Sequence, residues 1–283
     1  MSSMSIVIPA KNEGGAIGDV VKTAVKEFPN AEIIVVDDGS TDNTADVAHD
    51  AGARVVRHPE SLGNGAAVKA GAREATGEII AFMDGDGQHS ATEFGPLLQK
   101  LDEGFDMVIG ARDSGMHANV GRLAANGIYN VVASWLASRR ILDLTSGFRV
   151  VRANLFKRFL YLLPNGFSYP TTITMAFLRA GYPICFEPIP VTKRIGKSHI
   201  RPMRDGLRFL VIIFKIATLY SPLKIFVPIS ALFFVTGAGW YAYTFAALGR
   251  FTNMSMLLFS ASVIVFLIGL ISEQITALTY SKT

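Results

Sequence analysis

The chain is poor in cysteine. Cys185 is the only thiol among 283 residues, which excludes an intramolecular disulfide and leaves nothing pointing to an oxidising compartment. An excess of one charge is also lacking. Lys and Arg number 27 against 23 Asp and Glu, a formal net charge of +4, too small to argue for a nucleic-acid partner. No Gly-x-Gly-x-x-Gly follows the first apolar run, and no Gly-Lys-Ser/Thr loop occurs, so neither a dinucleotide site nor a Walker loop is supported. A basic n-region with a long apolar run behind it is missing too. Ser5-Ile6-Val7-Ile8-Pro9 already reads as a strand, so a signal peptide is not expected. Internal repeats and low-complexity segments are absent.

What is present is unevenly spread. Half of the residues are hydrophobic, and up to about Arg194 they fall into short apolar runs alternating with helical patterns. Strands are expected at 4–8, 31–36, 54–57, 79–83, 107–110, 150–151 and 184–191, the last on an edge because it carries Pro188 and Pro190. Helices are expected between the early strands and over 92–101, 120–138, 155–163 and 170–180. This alternation predicts an α/β fold with a Rossmann-like, mostly parallel sheet.

Beyond Pro202 the character changes. Arg201, Arg204, Arg208 and Lys215 are set among Leu207, Phe209, Leu210, Ile212, Ile213, Phe214 and Ile216. That pattern predicts a basic amphipathic helix in a membrane interface over 201–220. Two apolar runs follow, about 223–248 and 254–277, each long enough to span a bilayer. Pro228 and the Gly237/Gly239 pair are kinks that a spanning helix tolerates. The domains expected are therefore 1–200, 201–220 and 221–283. Basic residues before the first span (Arg201, Arg204, Arg208, Lys215, Lys224) outnumber Arg250 in the loop between spans. The positive-inside rule then puts the large domain and both termini in the cytoplasm.

The chemistry centres on Asp84-Gly85-Asp86-Gly87-Gln88-His89, at the end of the apolar run 79–83. Two carboxylates spaced i, i+2 on a Gly-rich turn offer hard oxygen ligands to Mg²⁺ or Mn²⁺, which also hold substrate phosphates; a polar loop without metal is the plain alternative. Four loops, 9–13, 37–40, 62–65 and 84–89, are expected at the carboxyl edge of the sheet, where open α/β sheets bind ligands. Acidic groups there need a cation or hydroxyl and amide donors as partners. A nucleotide offers both: ribose hydroxyls and base edges for Asp37 or Asp38, and a metal-bound diphosphate for Asp84 and Asp86. A phosphohydrolase also uses two aspartates, but the first strand here ends in Pro9-Ala10 instead of a nucleophile. His89 is expected to make a structural hydrogen bond, and His49, His58 and His117 to be on the surface.

The set Ile6-Val7-Ile8-Pro9-Ala10-Lys11-Asn12-Glu13, Val36-Asp37-Asp38-Gly39-Ser40-Thr41-Asp42, Gly63-Asn64-Gly65-Ala66-Ala67 and Asp84-Gly85-Asp86-Gly87-Gln88-His89 resembles the family-two glycosyltransferases of the GT-A fold. Asp143-Leu144-Thr145-Ser146-Gly147-Phe148-Arg149 and Arg194-Ile195-Gly196-Lys197-Ser198 are similar to the polyprenol-phosphate branch, typified by dolichol-phosphate mannose synthase and its bacterial relatives. The resemblance implies that Pro9, Ala10, Asn12, Glu13 and Asp37 hold the nucleoside. Asp38, Gly65, Gly85 and Arg194 would complete the nucleotide-sugar set. It places Asp84, Asp86 and Gln88 at the metal and donor diphosphate. The lipid phosphate falls to Ser146 and Arg149, with Arg112 or Arg122, and to the loop of Arg194, Lys197 and Ser198. Asp86, Ser146 and Arg149 form the implied catalytic set. Arginines suit this task because they bind phosphate bidentately.

Two departures leave the sugar and the base open. His199 stands where a lysine commonly follows the basic Gly-x-Ser, and 166–172 lacks the glutamate of the mannose synthases. No Gln-x-x-Arg-Trp motif appears, which argues against a processive polysaccharide synthase. The expectation is an inverting, Mg²⁺- or Mn²⁺-dependent transferase of one sugar, from a nucleoside-diphosphate sugar to a polyprenyl phosphate at the cytoplasmic membrane face. Self-association through the spans is compatible with it. A diacylglycerol-type acceptor and a non-catalytic nucleotide-sugar-binding scaffold are the alternatives.

Overall fold

A computed structural model of the chain describes residues 2–112, 120–166, 168–190, 214, 217–218 and 220–280. They fall into two compact units, Met1–Pro202 and Met203–Thr283.

The first unit opens with β1 (Met4–Ala10), α1 (Ile17–Glu27), β2 (Glu32–Asp37), α2 (Thr44–Asp50) and β3 (Arg54–Arg57). It continues through α3 (Asn64–Glu74), β4 (Ile79–Phe82), α4 (Phe94–Asp102), β5 (Met107–Arg112), α5 (Val120–Ala137), β6 (Arg149–Arg152), α6 (Ala153–Arg158), α7 (Tyr169–Arg179) and β7 (Ile184–Ile189). The strands make one sheet in the order β3-β2-β1-β4-β6-β5-β7. Runs such as Ile6-Val7-Ile8 and Ile33-Ile34-Val35-Val36 are buried on both faces, as central strands between helical layers must be. β7, with its prolines, lies on the edge as expected. Two helices differ from expectation. The stretch 155–163 resolves into α6 and a 3₁₀ turn, Leu160–Leu162, and α4 is preceded by the 3₁₀ turn Ala91–Glu93.

One core layer joins Ile6, Ile8, Val35, Ala81, Val108 and Val150 to α1 and α4, with Phe94 stacked on Phe148 at 4.3 Å between centroids. On the other face α3 comes close enough that a Cβ on Gly71 would stand 2.3 Å from Val7 Cγ1. That contact requires glycine.

The sheet is mostly parallel, with one exception that shapes the site. β6 runs antiparallel to both neighbours, with Phe82 opposite Arg149 in β4 and Ile109 opposite Arg149 in β5. A parallel strand sends the loop after it to the carboxyl edge; an antiparallel one sends the loop before it. The turn 143–148 therefore reaches the edge where β1, β2, β4 and β5 end.

The second unit holds α8 (Pro222–Leu248) and α9 (Asn253–Tyr280), joined by a short turn in which Gly249 takes a left-handed φ of 62°. Their mean hydropathies of 1.6 and 2.5, and lengths of 26 and 28 residues over the apolar segments, suffice to cross a membrane. Small and hydroxyl residues recur every seventh position along the buried seam: Ser230, Gly237 and Thr244 on α8, and Ser255, Ser262, Gly269 and Thr276 on α9. Small side chains let two apolar helices approach where no water drives them together. Ser230 Oγ donates to Ser262 O and Ser262 Oγ to Ser230 O, both at 2.9 Å. Large apolar side chains such as Leu232, Val235 and Leu257 point outward.

Candidate active site at the carboxyl edge of the sheet

The loops after β1 and β2 are tied to each other. Ala10 pairs with Asp37 in register, and Asp38 N–H donates to Ala10 O at 2.9 Å. Asn12, at φ 55°, accepts Thr41 N–H on Oδ1 at 2.8 Å, while its own N–H donates to Ser40 Oγ at 2.9 Å. Glu13 N–H donates to Thr44 Oγ1 and Gly14 N–H to Asp42 Oδ2. Asp37 accepts Ser40 N–H on Oδ1 at 3.0 Å. Pro9, Ala10, Asn12, Glu13 and Asp37 thus come together at one edge.

Asp38 does something else. It is 4 % exposed, and both carboxylate oxygens are taken. Oδ1 meets His58 Nδ1 at 2.8 Å and Leu62 N–H at 2.9 Å, and Oδ2 accepts Ser61 Oγ–H at 2.8 Å and Gly63 N–H at 2.9 Å. Burial alone would raise this carboxyl. The bonds from His58, Leu62, Ser61 and Gly63 more than offset it and hold Asp38 below its ordinary value. Asp38, expected among the nucleotide-sugar residues, latches the loop 58–63. His58, expected on the surface, is its half-buried partner.

At Gly65 a Cβ would lie 2.1 Å from Pro164 O, so the residue is covered by the segment 164–166. Ala66 N–H donates to Asn165 O, and Lys69 Nζ donates to Leu163 O at 3.0 Å and to Asn165 Oδ1. Gly85 is buried against Ile17, Ala10 and Pro9. Its part is to let the acidic turn lie on the end of β1.

Asp84, Asp86 and Gln88 are half-buried on the turn after β4. Met83 N–H donates to Val7 O, which brings the turn level with the end of β1. Gln88 N–H donates to Asp86 Oδ1 at 3.1 Å. Asp86 also lines a cavity of about 270 Å³ against Gly15, Ala16 and Asp19 of the α1 end. Among the described residues, no group of three or more His, Cys, Asp or Glu side chains could hold a metal ion. Two accessible carboxylates and an amide oxygen nevertheless fit Mg²⁺ or Mn²⁺, which take one or two carboxylates and draw the remaining oxygens from water and substrate phosphates. His89 packs on Phe148 and faces Glu93 Oε2 at 3.2 Å from Nδ1, a structural contact.

The turn before β6 holds Asp143 and is flanked by Arg112 and Arg149. Arg112, at the end of β5, donates from Nε to Asp143 Oδ2 at 2.7 Å and from Nη2 to Asp143 Oδ1 at 3.0 Å and Thr145 Oγ1 at 2.6 Å. Burial would raise Asp143; the Arg112 guanidinium and backbone N–H groups more than offset it and lower its pKa. Burial would lower Arg112, and Asp143, with Asp84 farther off, raises it. Asn130 of α5 braces the turn, donating to Leu142 O and accepting Leu144 N–H.

Arg149 is fully buried, at 0 % exposure, with its first guanidinium nitrogen at 3.3 Å from both Pro170 O and Thr174 Oγ1 and its second on Ser146 O. Burial lowers its pKa, against the opposing influence of Tyr169, Asp143 and Asp84. Arg149, expected at the lipid phosphate, is thus enclosed, while Arg112 is partly exposed. Ser146 is 2 % exposed. Its Oγ and Arg149 Nε are the buried side-chain polar atoms without a hydrogen-bond partner among the described residues. Arg122 lies on the first turn of α5, and its side chain is outside the described residues. So are Arg194, Lys197, Ser198, His117 and most of 201–220.

Sequence reasoning missed His58, Ser61, Asp143, Lys69 and Tyr169. Asp143 stood within the quoted 143–149 motif, so its spacing from Ser146 was available. The other four carry no local pattern and emerge only when distant loops meet.

Residues 5–161 match the family described as glycosyl transferase family 2, and residues 221–278 match the GtrB C-terminal hairpin. The glycosyltransferase AglJ of Haloferax volcanii is 28 % identical over 98 % of this chain and 94 % of its own length. A dolichyl-phosphate hexose transferase of the same organism is 29 % identical over 72 % of this chain and 89 % of its own. Among solved structures, glucosyl-3-phosphoglycerate synthase from Mycobacterium tuberculosis, in complex with Mn²⁺, uridine diphosphate and phosphoglyceric acid, superposes with a TM-score of 0.61. That likeness has 22 % identity and covers 76 % of this chain and 78 % of that one. The converging loops of the sheet edge thus carry the motif set of a matched family, and the chain belongs to glycosyl transferase family 2, with a GT-A catalytic unit followed by a GtrB-type hairpin.

Proposed function

We propose that the protein transfers one sugar from a nucleoside-diphosphate sugar, UDP- or GDP-linked, to a polyprenyl phosphate such as undecaprenyl or dolichyl phosphate, inverting the anomeric centre. The observation that carries this reading is that the acidic turn after β4 and Arg112, the last residue of β5, reach one sheet edge. Asp84 and Asp86 suit a cation-bound diphosphate, and Arg112, oriented by Asp143, faces the same edge and suits an anionic acceptor. The names of the relatives, one a dolichyl-phosphate hexose transferase, support an acceptor of this class.

Asp37 and the backbone around Pro9 and Ala10 would take the nucleoside, with Asn12 and Glu13 closing the loop over it. Asp84, Asp86 and Gln88 would hold Mg²⁺ or Mn²⁺, which when bound neutralises charge on the leaving diphosphate. A phosphate monoester is already largely anionic at neutral pH, so it needs positioning more than a strong base. Arg112 supplies that positioning, together with Arg122 and the loop of Arg194, Lys197 and Ser198. Ser146 is adjacent, on the same turn. Attack from the face opposite the leaving group inverts the sugar carbon. The hairpin α8–α9 and the basic segment 201–220 would anchor the unit at the cytoplasmic face, both termini on that side, where the acceptor's phosphate surfaces.

The test is transfer from radiolabelled UDP- and GDP-sugars to undecaprenyl phosphate in detergent, with Mg²⁺, with Mn²⁺ and with EDTA. Cation-dependent formation of a glycolipid from one donor supports the reading. Full activity in EDTA removes the metal from it, and nucleotide binding without transfer from any donor favours the scaffold alternative.

A further inference from the structure

Tyr169, the first residue of α7, is 1 % exposed and among the largest fully buried side chains. Its ring lies 5.9 Å from the Arg149 guanidinium carbon, a cation–π contact. Its hydroxyl borders Gly147, as does the Asp84 carboxylate. A Cβ built on Gly147 would stand 3.3 Å from Tyr169 Oη, 3.5 Å from Asp84 Oδ2 and 3.6 Å from Asp84 Oδ1. The phenol and the carboxylate thus flank one small gap, kept open because residue 147 has no side chain. Burial pushes the phenol's pKa up, and Asp84 adds to this. Arg149 extends the arrangement beneath it, its fixed positive charge acting on Asp84 from within the core.

Resting on the reading that Asp84 is a cation ligand, we propose that Tyr169 is a positioning residue for that carboxylate. The phenol donates to the oxygen of Asp84 that the cation does not take, and so fixes the carboxylate's rotation. Arg149 holds the ring in place from below. Partners of metal ligands commonly matter this much, because a ligand free to rotate binds less tightly. Arg149 and Tyr169, both buried, thereby acquire a role in the donor half of the site.

Tyr169→Phe removes the hydroxyl and keeps the ring over Arg149. Gly147→Ala fills the gap and separates the two groups. The readout is Mn²⁺ binding to the full-length protein, followed by electron paramagnetic resonance of the free ion, alone and with UDP or GDP. Melting temperature and acceptor KM are measured on the same preparations. Both variants are expected to weaken Mn²⁺ binding about tenfold, with melting temperature and acceptor KM unchanged. Asp86→Ala serves as the reference for loss of the site. Unaltered Mn²⁺ affinity in Tyr169→Phe, while Asp86→Ala loses it, overturns the proposal and leaves the metal reading intact. A Tyr169→Phe protein that melts several degrees lower assigns the hydroxyl to packing and overturns it as well. Absence of Mn²⁺ binding in the unaltered protein, with and without nucleotide, overturns both.

Discussion

The loops after β1 and β2 and the turn before β6 reach the same sheet edge but are built differently. On the first side polar groups are matched almost atom for atom: Asp38 receives four partners, and Asn12, Ser40, Thr41, Asp42 and Thr44 lace two loops together. On the second, Ser146 Oγ and Arg149 Nε are buried without partners among the described residues. Buried polar groups in folded proteins are nearly always satisfied. The matched side is held together by its own hydrogen bonds. The unmatched side keeps polar capacity in reserve next to the arginine that suits an anionic acceptor.

The largest expected effect separates chemistry from scaffold. Asp86→Ala should lower transfer at least about a hundredfold, the scale of a lost transition-state electrostatic contact, with the melting temperature unchanged. A fall in both would place Asp86 with the structural carboxylates. Next, Asp38→Ala strands four donors and should cost about 3 kcal/mol of stability, read as a drop in melting temperature. A Ser146→Ala protein should show the opposite balance. Its hydroxyl has no partner to lose, so stability should hold or rise slightly, while the acceptor KM rises; equal destabilisation by both variants would erase the contrast between the two sides.

The smallest effect is one of pH. Asp143 is held below its ordinary carboxylate value of 3.8. Its contribution to stability is thus complete above the unfolded value and is lost as pH falls through the lower folded value. Asp143→Asn should therefore melt lower than the parent at pH 7, with the gap closing below about pH 4. A gap that stays constant into acid would mean that the Arg112 pair does not govern this turn.

Much of this was legible in the sequence, for physical reasons. Asp84 and Asp86 follow a fully apolar run, so a strand had to deliver them to an edge. Arg112 ends another such run. The function of Asp38 was not legible, because Asp37 and Asp38 are adjacent carboxylates of one chemistry. Only the fold shows that one faces the β1 loop and the other turns into the loop 58–63. The burial of Arg149 was not legible for a related cause: the antiparallel course of β6 that encloses it is settled by the order of strands. Tyr169 stood in an ordinary apolar helix pattern, and Gly147 in the 143–149 motif gave no sign of the gap between them.

The most direct test of the central claim is where the sugar goes. With one active donor, vesicles holding equal undecaprenyl phosphate and diacylglycerol would be incubated with the protein and the labelled lipid treated with mild acid. The account predicts label in a glycosyl phosphate that acid releases, with Arg112→Ala reducing it. Acid-stable label on the neutral lipid would contradict it.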